Sequence, residues 1–236
     1  IGDVIFVIVT GTDKQGKNKD YDLALKCSKS SAALMESVPV FRKTFVRESY
    51  LYHHVFPLFK QFQVSKGIEN PFDSVPKCYG IYKDEFRYVI VLENLKKLGY
   101  DLWPKAKPLT REVIDIVIKD YAKLHATSVA LEEQHPEKFQ KLLEGCSEDL
   151  VKQIIETAGF ADMFEDAVEE VYELLTDAVK NDILNQWLKL KDKVRFILGE
   201  MTFGVDDLKV INHGDSWVNN FLYKFEVCDL TSVYIF

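Results

Sequence analysis

The segment His213-Gly214-Asp215-Ser216-Trp217-Val218-Asn219-Asn220 decides how this chain is read. It lies between residues 208–212 (LKVIN), which have strand character, and residues 220–225 (NFLYKF), a short apolar strand. Asp215 and Asn220 stand five apart, the D-x-x-x-x-N spacing of phosphotransfer catalytic loops. The chemistry asks for this pair. A carboxylate orients the attacking hydroxyl or accepts its proton, and an amide oxygen ligates Mg²⁺ beside the phosphates. A loop pinned between two strands holds both groups at a fixed distance. Taken alone, the same residues also suit a plain surface turn, because Gly, Asp and Asn fit turn backbone.

Working outward, the upstream residues add to this reading. Residues 4–9 (VIFVIV) predict a strand, and residues 11–20 (GTDKQGKNKD) predict a loop. Residues 21–27 then alternate, with Tyr21, Leu23, Leu25 and Cys27 on one face and Asp22, Ala24 and Lys26 on the other. Together they predict a β-hairpin with a long connection. Apolar residues at helical spacing predict a helix over 39–62, kinked or broken at Pro57. Glu48 lies on it, 22 residues after Lys26. A strand lysine held by a helix carboxylate aims an ammonium at the α/β-phosphates of a nucleotide. Either residue alone is commonplace: an edge-strand lysine in water, or a carboxylate on a solvated helix face. The ordered set carries the argument: Lys26, Glu48, the apolar strand 86–92 leading to Glu93, a helical segment, then Asp215 and Asn220.

Between these landmarks, residues 75–80 read as a turn and residues 93–108 as a polar stretch. Thr110 is a plausible N-cap for a helix over 111–130, with Ile114, Val117, Tyr121 and Leu124 on one face. Further helices are expected over 136–144, 147–158, 161–180 and 182–199. Strands, helix, strand, many helices and a short β pair make an α+β chain, with a small β-rich lobe and a larger helical lobe.

Composition narrows the alternatives. At roughly 100–200 residues per domain, 236 residues make one large domain or two lobes. With 47% hydrophobic and 28% charged residues, the chain is not collagen-like, disordered or a disulfide scaffold. The net charge of −7 argues against a general nucleic-acid binder. No stretch reaches the ~18 uncharged apolar residues that a membrane span needs. The four cysteines lack metal-site spacing; their even number permits two disulfides, which a chain of this size does not need. HExxH and GxSxG motifs are absent. No signal peptide is visible, so a cytoplasmic location is expected.

On its motifs the chain resembles the ecdysteroid kinase-like proteins. These are a mainly arthropod group with a CHK kinase-like domain, related to choline and aminoglycoside kinases. The resemblance rests on Leu25-Lys26, Phe45–Tyr52 (FVRESYLY), Pro76–Gly80 (PKCYG), Val91–Leu95 (VLENL) with Gly99-Tyr100, Ala122–Ser128 (AKLHATS), and His213-Gly214-Asp215 through Asn220. It implies a two-lobed, protein kinase-like fold: a β-rich lobe over 1–92, a hinge and linker over 93–108, and a helical lobe over 109–236 holding the loop 213–220. It implies transfer of the ATP γ-phosphate to a hydroxyl of a small molecule, with ecdysteroid-type steroids as the namesake substrates. ATP and Mg²⁺ are the implied cofactors. Lys26 would contact phosphates, paired with Glu48. Glu93 and Leu95 would flank the adenine through backbone groups. Asp215 would be the catalytic base and Asn220 a Mg²⁺ ligand. His125 reads as a packed core histidine, and Trp217 as a buried aromatic or a substrate contact. Tyr100, Trp103 and the helices over 160–200 are candidates to line the acceptor pocket.

The chain also departs from the family pattern. Both ends read as cut, and only Gly2 stands where a phosphate-covering glycine-rich loop is expected. The family carries an Asp-Phe-Gln segment on the strand after the catalytic loop, whose aspartate holds Mg²⁺. Here Asp229 is the candidate, and the alternative is that the sequence after Glu226 is unrelated to the family. Three readings therefore stand: an active small-molecule kinase, a pseudokinase-like binding module, and an inactive truncated product.

Overall fold

Two runs of β-branched and aromatic residues open the fold as an antiparallel hairpin. The structure, a computed structural model, describes residues 2–28, 39–84, 87–146, 150, 152–153, 159–176, 181–201, 210–226 and 229–235. Strand β1 (Gly2–Thr12) pairs with β2 (Asn18–Ser28) along its whole length. The connection is much shorter than the loop expected over 11–20. Asp13 closes it, its side chain accepting the N–H groups of Gln15 and Lys17. This local pairing lets the flanking Thr and Asp residues stay in the ladder. Strands β3 (Cys78–Lys83) and β4 (Tyr88–Glu93) complete an antiparallel sheet in the order β1-β2-β4-β3. Cys78 to Gly80, expected as turn, are drawn into β3 by pairing with β4.

Helix α1 (Pro39–Tyr50) runs through a π-helical turn (Leu51–Val55) into α2 (Phe56–Ser65). The helix does not break at Pro57. The N–H of Phe56 reaches back to the carbonyl of Leu51, and Pro57 falls in the first turn of α2, where its missing N–H is not required. The π turn absorbs the mismatch.

Helix α3 (Arg111–Gln134) buries Val113, Asp120, Leu124, Thr127, Ser128 and Leu131. Ile114, expected inside, is exposed. The buried stripe includes three polar residues, so apolar spacing alone misplaces it. Thr110 takes the extended backbone of an N-cap without a side-chain capping bond. Helix α4 (Pro136–Glu144) follows directly. Residues 210–212, part of the strand expected over 208–212, have no regular structure, and 208–209 lie outside the described residues.

Strands β5 (Tyr100–Leu102), β6 (Phe221–Glu226) and β7 (Asp229–Ile235) form a second antiparallel sheet in that order. β5 was not signalled by sequence; three residues are too few to show alternation.

By contacts the chain divides into two units, residues 1–147 with 210–236, and residues 148–209. The boundary expected over 93–108 lies inside the first unit. The reason is a continuous core: Val55 and Phe59 near the helix junction join Leu124 and Leu131 of α3, Phe221 of β6 and Val233 of β7. A smaller cluster, including Ala24, Phe45, Ile90 and Leu92, lies against the first sheet. The second unit contains α5 (Phe160–Leu175) and α6 (Asn181–Lys191). Trp187 donates its indole N–H to the Val168 carbonyl, and Arg195 pairs with Asp162 and Glu165. The helix expected over 147–158 falls almost wholly outside the described residues. Among the described residues no helix is long and apolar enough to cross a membrane, and Cys27, Cys78 and Cys146 are free thiols.

Candidate active site

Lys26 sits on β2 between Val4 of β1 and Ile90 of β4. From α1, Glu48 meets it, with Nζ donating to Oε1 at 2.7 Å. Side-chain exposures of 20% and 25% leave the pair screened by solvent. Its stabilising contribution is therefore at most about 1 kcal/mol, and its main effect is to fix where the ammonium points. One helical turn on, the buried Tyr52 phenol is pushed up by burial and then by the Glu48 charge.

The loop at 213–220 closes on itself. Asn220 donates from Nδ2 to Asp215 Oδ2 at 2.8 Å and to the Asp215 carbonyl at 2.9 Å. With Nδ2 so committed, Oδ1 of Asn220, the one atom able to ligate a cation, is turned away from that carboxylate oxygen. The Asp215 N–H donates to His213 Nδ1 at 3.2 Å, and the Trp217 N–H to the Asp215 carbonyl at 3.1 Å. Gly214 makes the sharp entry possible with φ of 81°. Burial pushes the His213 imidazole below its usual range; the Lys26 charge acts in the same direction and Asp215 opposes it.

Residues outside the loop hold it. Ser128, fully buried on α3, accepts the Ile211 N–H at 2.9 Å just before the loop. Tyr121, on the same helix, hydrogen-bonds Ser216 hydroxyl to hydroxyl at 2.6 Å. Ser74 donates to the buried Asp120 carboxylate at 2.6 Å, and its carbonyl accepts the Ile235 N–H at 2.8 Å. Sequence reasoning gave none of these a role. Ser128 was visible only as a member of a motif, and Tyr121 only as part of a helix face.

Glu93 ends β4 opposite Leu23, three residues along the sheet from the Lys26–Ile90 pair. Its N–H is taken by the Lys77 carbonyl, and the buried Leu95 opens a 3₁₀ turn capped by Asn94. Asp229 is not brought to this group. It pairs with Glu226, whereas Phe221, which follows Asn220, pairs with Ile235. Asp229 therefore enters β7 at the far end of the hairpin, about 17 Å along the strand from Phe221 at ~3.4 Å per residue.

Trp217 is 54% exposed, so the expectation of a buried aromatic does not hold. His125 is half-buried against Tyr121 at 5.8 Å, and its enclosed Nε2 has no hydrogen-bond partner among the described residues. Tyr100 and Trp103 are engaged on the second sheet: Tyr100 bonds Ser232, and Trp103 packs on Tyr223 and Phe225.

The model of the Ecdysteroid kinase-like family matches residues 2–235. The chain belongs to that family. The ecdysteroid kinase-like match continues through β7, which overturns the alternative that the sequence after Glu226 is unrelated. No curated protein and no solved structure matches the chain.

Proposed function

We propose that this ecdysteroid kinase-like protein transfers the γ-phosphate of ATP to a hydroxyl of a small molecule, with a hydroxylated steroid of the ecdysteroid type as the acceptor class. The observation that carries the reading is the direct contact of Asp215 with Asn220 in the loop, supported by the formed Lys26–Glu48 pair. Lys26 binds α/β-phosphate oxygens, held in direction by Glu48. The Glu93 carbonyl and the Leu95 amide flank the adenine. The acceptor O–H donates to Asp215, which takes the proton as the new O–P bond forms and the bond to the β-phosphate oxygen breaks, releasing ADP.

Among the described residues no three His, Cys, Asp or Glu side chains cluster as a metal centre. Mg²⁺ binds through few protein oxygens and completes its shell with phosphate and water. Asn220 Oδ1 is the loop oxygen that would hold it. When bound, Mg²⁺ supplies neutralisation of the phosphate charge.

The test is to incubate the protein with ATP, Mg²⁺ and a panel of hydroxylated steroids and amino alcohols, and to detect phosphorylated product by mass spectrometry. Asp215→Asn is expected to lower kcat by about 10²–10⁴-fold with ATP affinity within about twofold. No product from any acceptor, or full activity in Asp215→Asn, would sink the reading. The position of Asp229 favours a second reading, nucleotide binding without transfer. Calorimetric ATP binding that persists in EDTA, with no product from the panel, would select it.

A further inference from the structure

We propose that Tyr121 is a positioning residue for the Asp215 loop, acting through its hydroxyl bond to Ser216. Its catalytic consequence rests on the phosphoryl-transfer reading above; its effect on loop order does not. The ends of the loop are held by backbone groups, Ile211 at one side through Ser128 and Phe221 at the other through β6. The bonds that shape the middle join Asp215 to His213, Trp217 and Asn220, all members of the loop itself. They give the loop its form but do not fix it to the scaffold. The 2.6 Å Tyr121–Ser216 bond does, at the residue next to the base.

The tyrosine is suited to this role. Its ring is wedged between the rings of His125 at 5.8 Å, Phe221 at 6.2 Å and His213 at 6.4 Å. It cannot swing without displacing them. Tyr121, His125 and Ser128 follow one another at i, i+4 and i+7, so one face of α3 holds both the approach to the loop and its centre. Burial pushes the phenol up, keeping it protonated and able to donate. Misplacing a reacting group by ~1 Å costs up to about 10²-fold in rate, so a single hydroxyl here bears directly on turnover.

The test labels the whole protein with 5-fluorotryptophan and follows it by ¹⁹F NMR, with Trp217→Phe used to assign the loop resonance. Trp103, packed on Tyr223 and Phe225, serves as the internal control. Tyr121→Phe keeps the ring and removes the hydroxyl. It is expected to shift or narrow the Trp217 resonance alone, Ser216→Ala to do the same, and the double variant to go no further. In kinetics, Tyr121→Phe should lower kcat about tenfold with the KM for ATP within about twofold. An unchanged Trp217 resonance in Tyr121→Phe, or effects of the two variants that add, would overturn the proposal. If the unaltered protein turns over no acceptor, the phosphoryl-transfer reading fails, while the NMR comparison still decides whether Tyr121 orders the loop.

Discussion

Ser128 illustrates how a residue far from the chemistry can set it up. Its hydroxyl accepts the Ile211 N–H across 83 positions, in a fully buried setting. Ser128→Ala leaves that donor enclosed without an acceptor, and should lower stability by about 1–3 kcal/mol in urea unfolding. His213 adds a pH dependence. Burial lowers its folded pKa below the unfolded value of about 6.5, so the unfolded chain takes up the proton first. The stability this contributes is present above about pH 6.5 and is lost as pH falls through the folded pKa. His213→Asn, whose Oδ1 can replace Nδ1 as acceptor, should flatten the decline in urea midpoint between pH 7 and 5.5; an unchanged slope would remove the argument. At this scale the sequence was most legible where chemistry restricts both residue type and spacing. Lys26 and Glu48 were chosen as a pair and touch; Asp215 and Asn220 likewise. Tyr121 and Ser128 were not legible as site residues, because their partners lie 95 and 83 positions away and a hydroxyl on a helix carries no pattern.

Among the elements, packing detail decides what periodicity leaves open. The tip of α4 shows it. Gly145 follows Glu144, and a Cβ there would overlap the Tyr50 ring at the end of α1. Gly145→Ala forces that ring aside and should destabilise the protein by about 1–3 kcal/mol. Combining it with Tyr50→Ala should cost less than the sum of the two single changes, measured in the same unfolding assay. The long helix over 39–65 was legible from its apolar spacing, yet the π turn was not, since Pro57 signals a disturbance without saying which form it takes. The register of β6 with β7 was not legible either. Glu226 pairs with Asp229, and no glycine, asparagine or proline stands between them in sequence to advertise it. That one register separates Asp229 from Asn220.

For the whole molecule, the first sheet leaves β1 at its edge, with Val4, Ile5, Phe6, Ile8 and Val9 all exposed. A long apolar edge strand is a template for pairing with another chain. Ile8→Lys places a cation opposite Asp22 in the ladder and should reduce concentration-dependent light scattering without lowering the melting temperature. Equal scattering in the variant would show that β1 is not the sticky surface. The α+β class was legible from element order, whereas the division into units was not, because residues 148–209 are inserted between parts of one core. That insertion has a consequence in time. Tyr100 of β5 bonds Ser232 of β7, 132 positions later. A ribosome adding roughly 5–20 residues per second needs about 7–26 s to supply that partner. Until β6 and β7 are made, α2 and α3 lack the Phe221 and Val233 side chains that complete their core, and a nascent chain in this state is a natural client for chaperones.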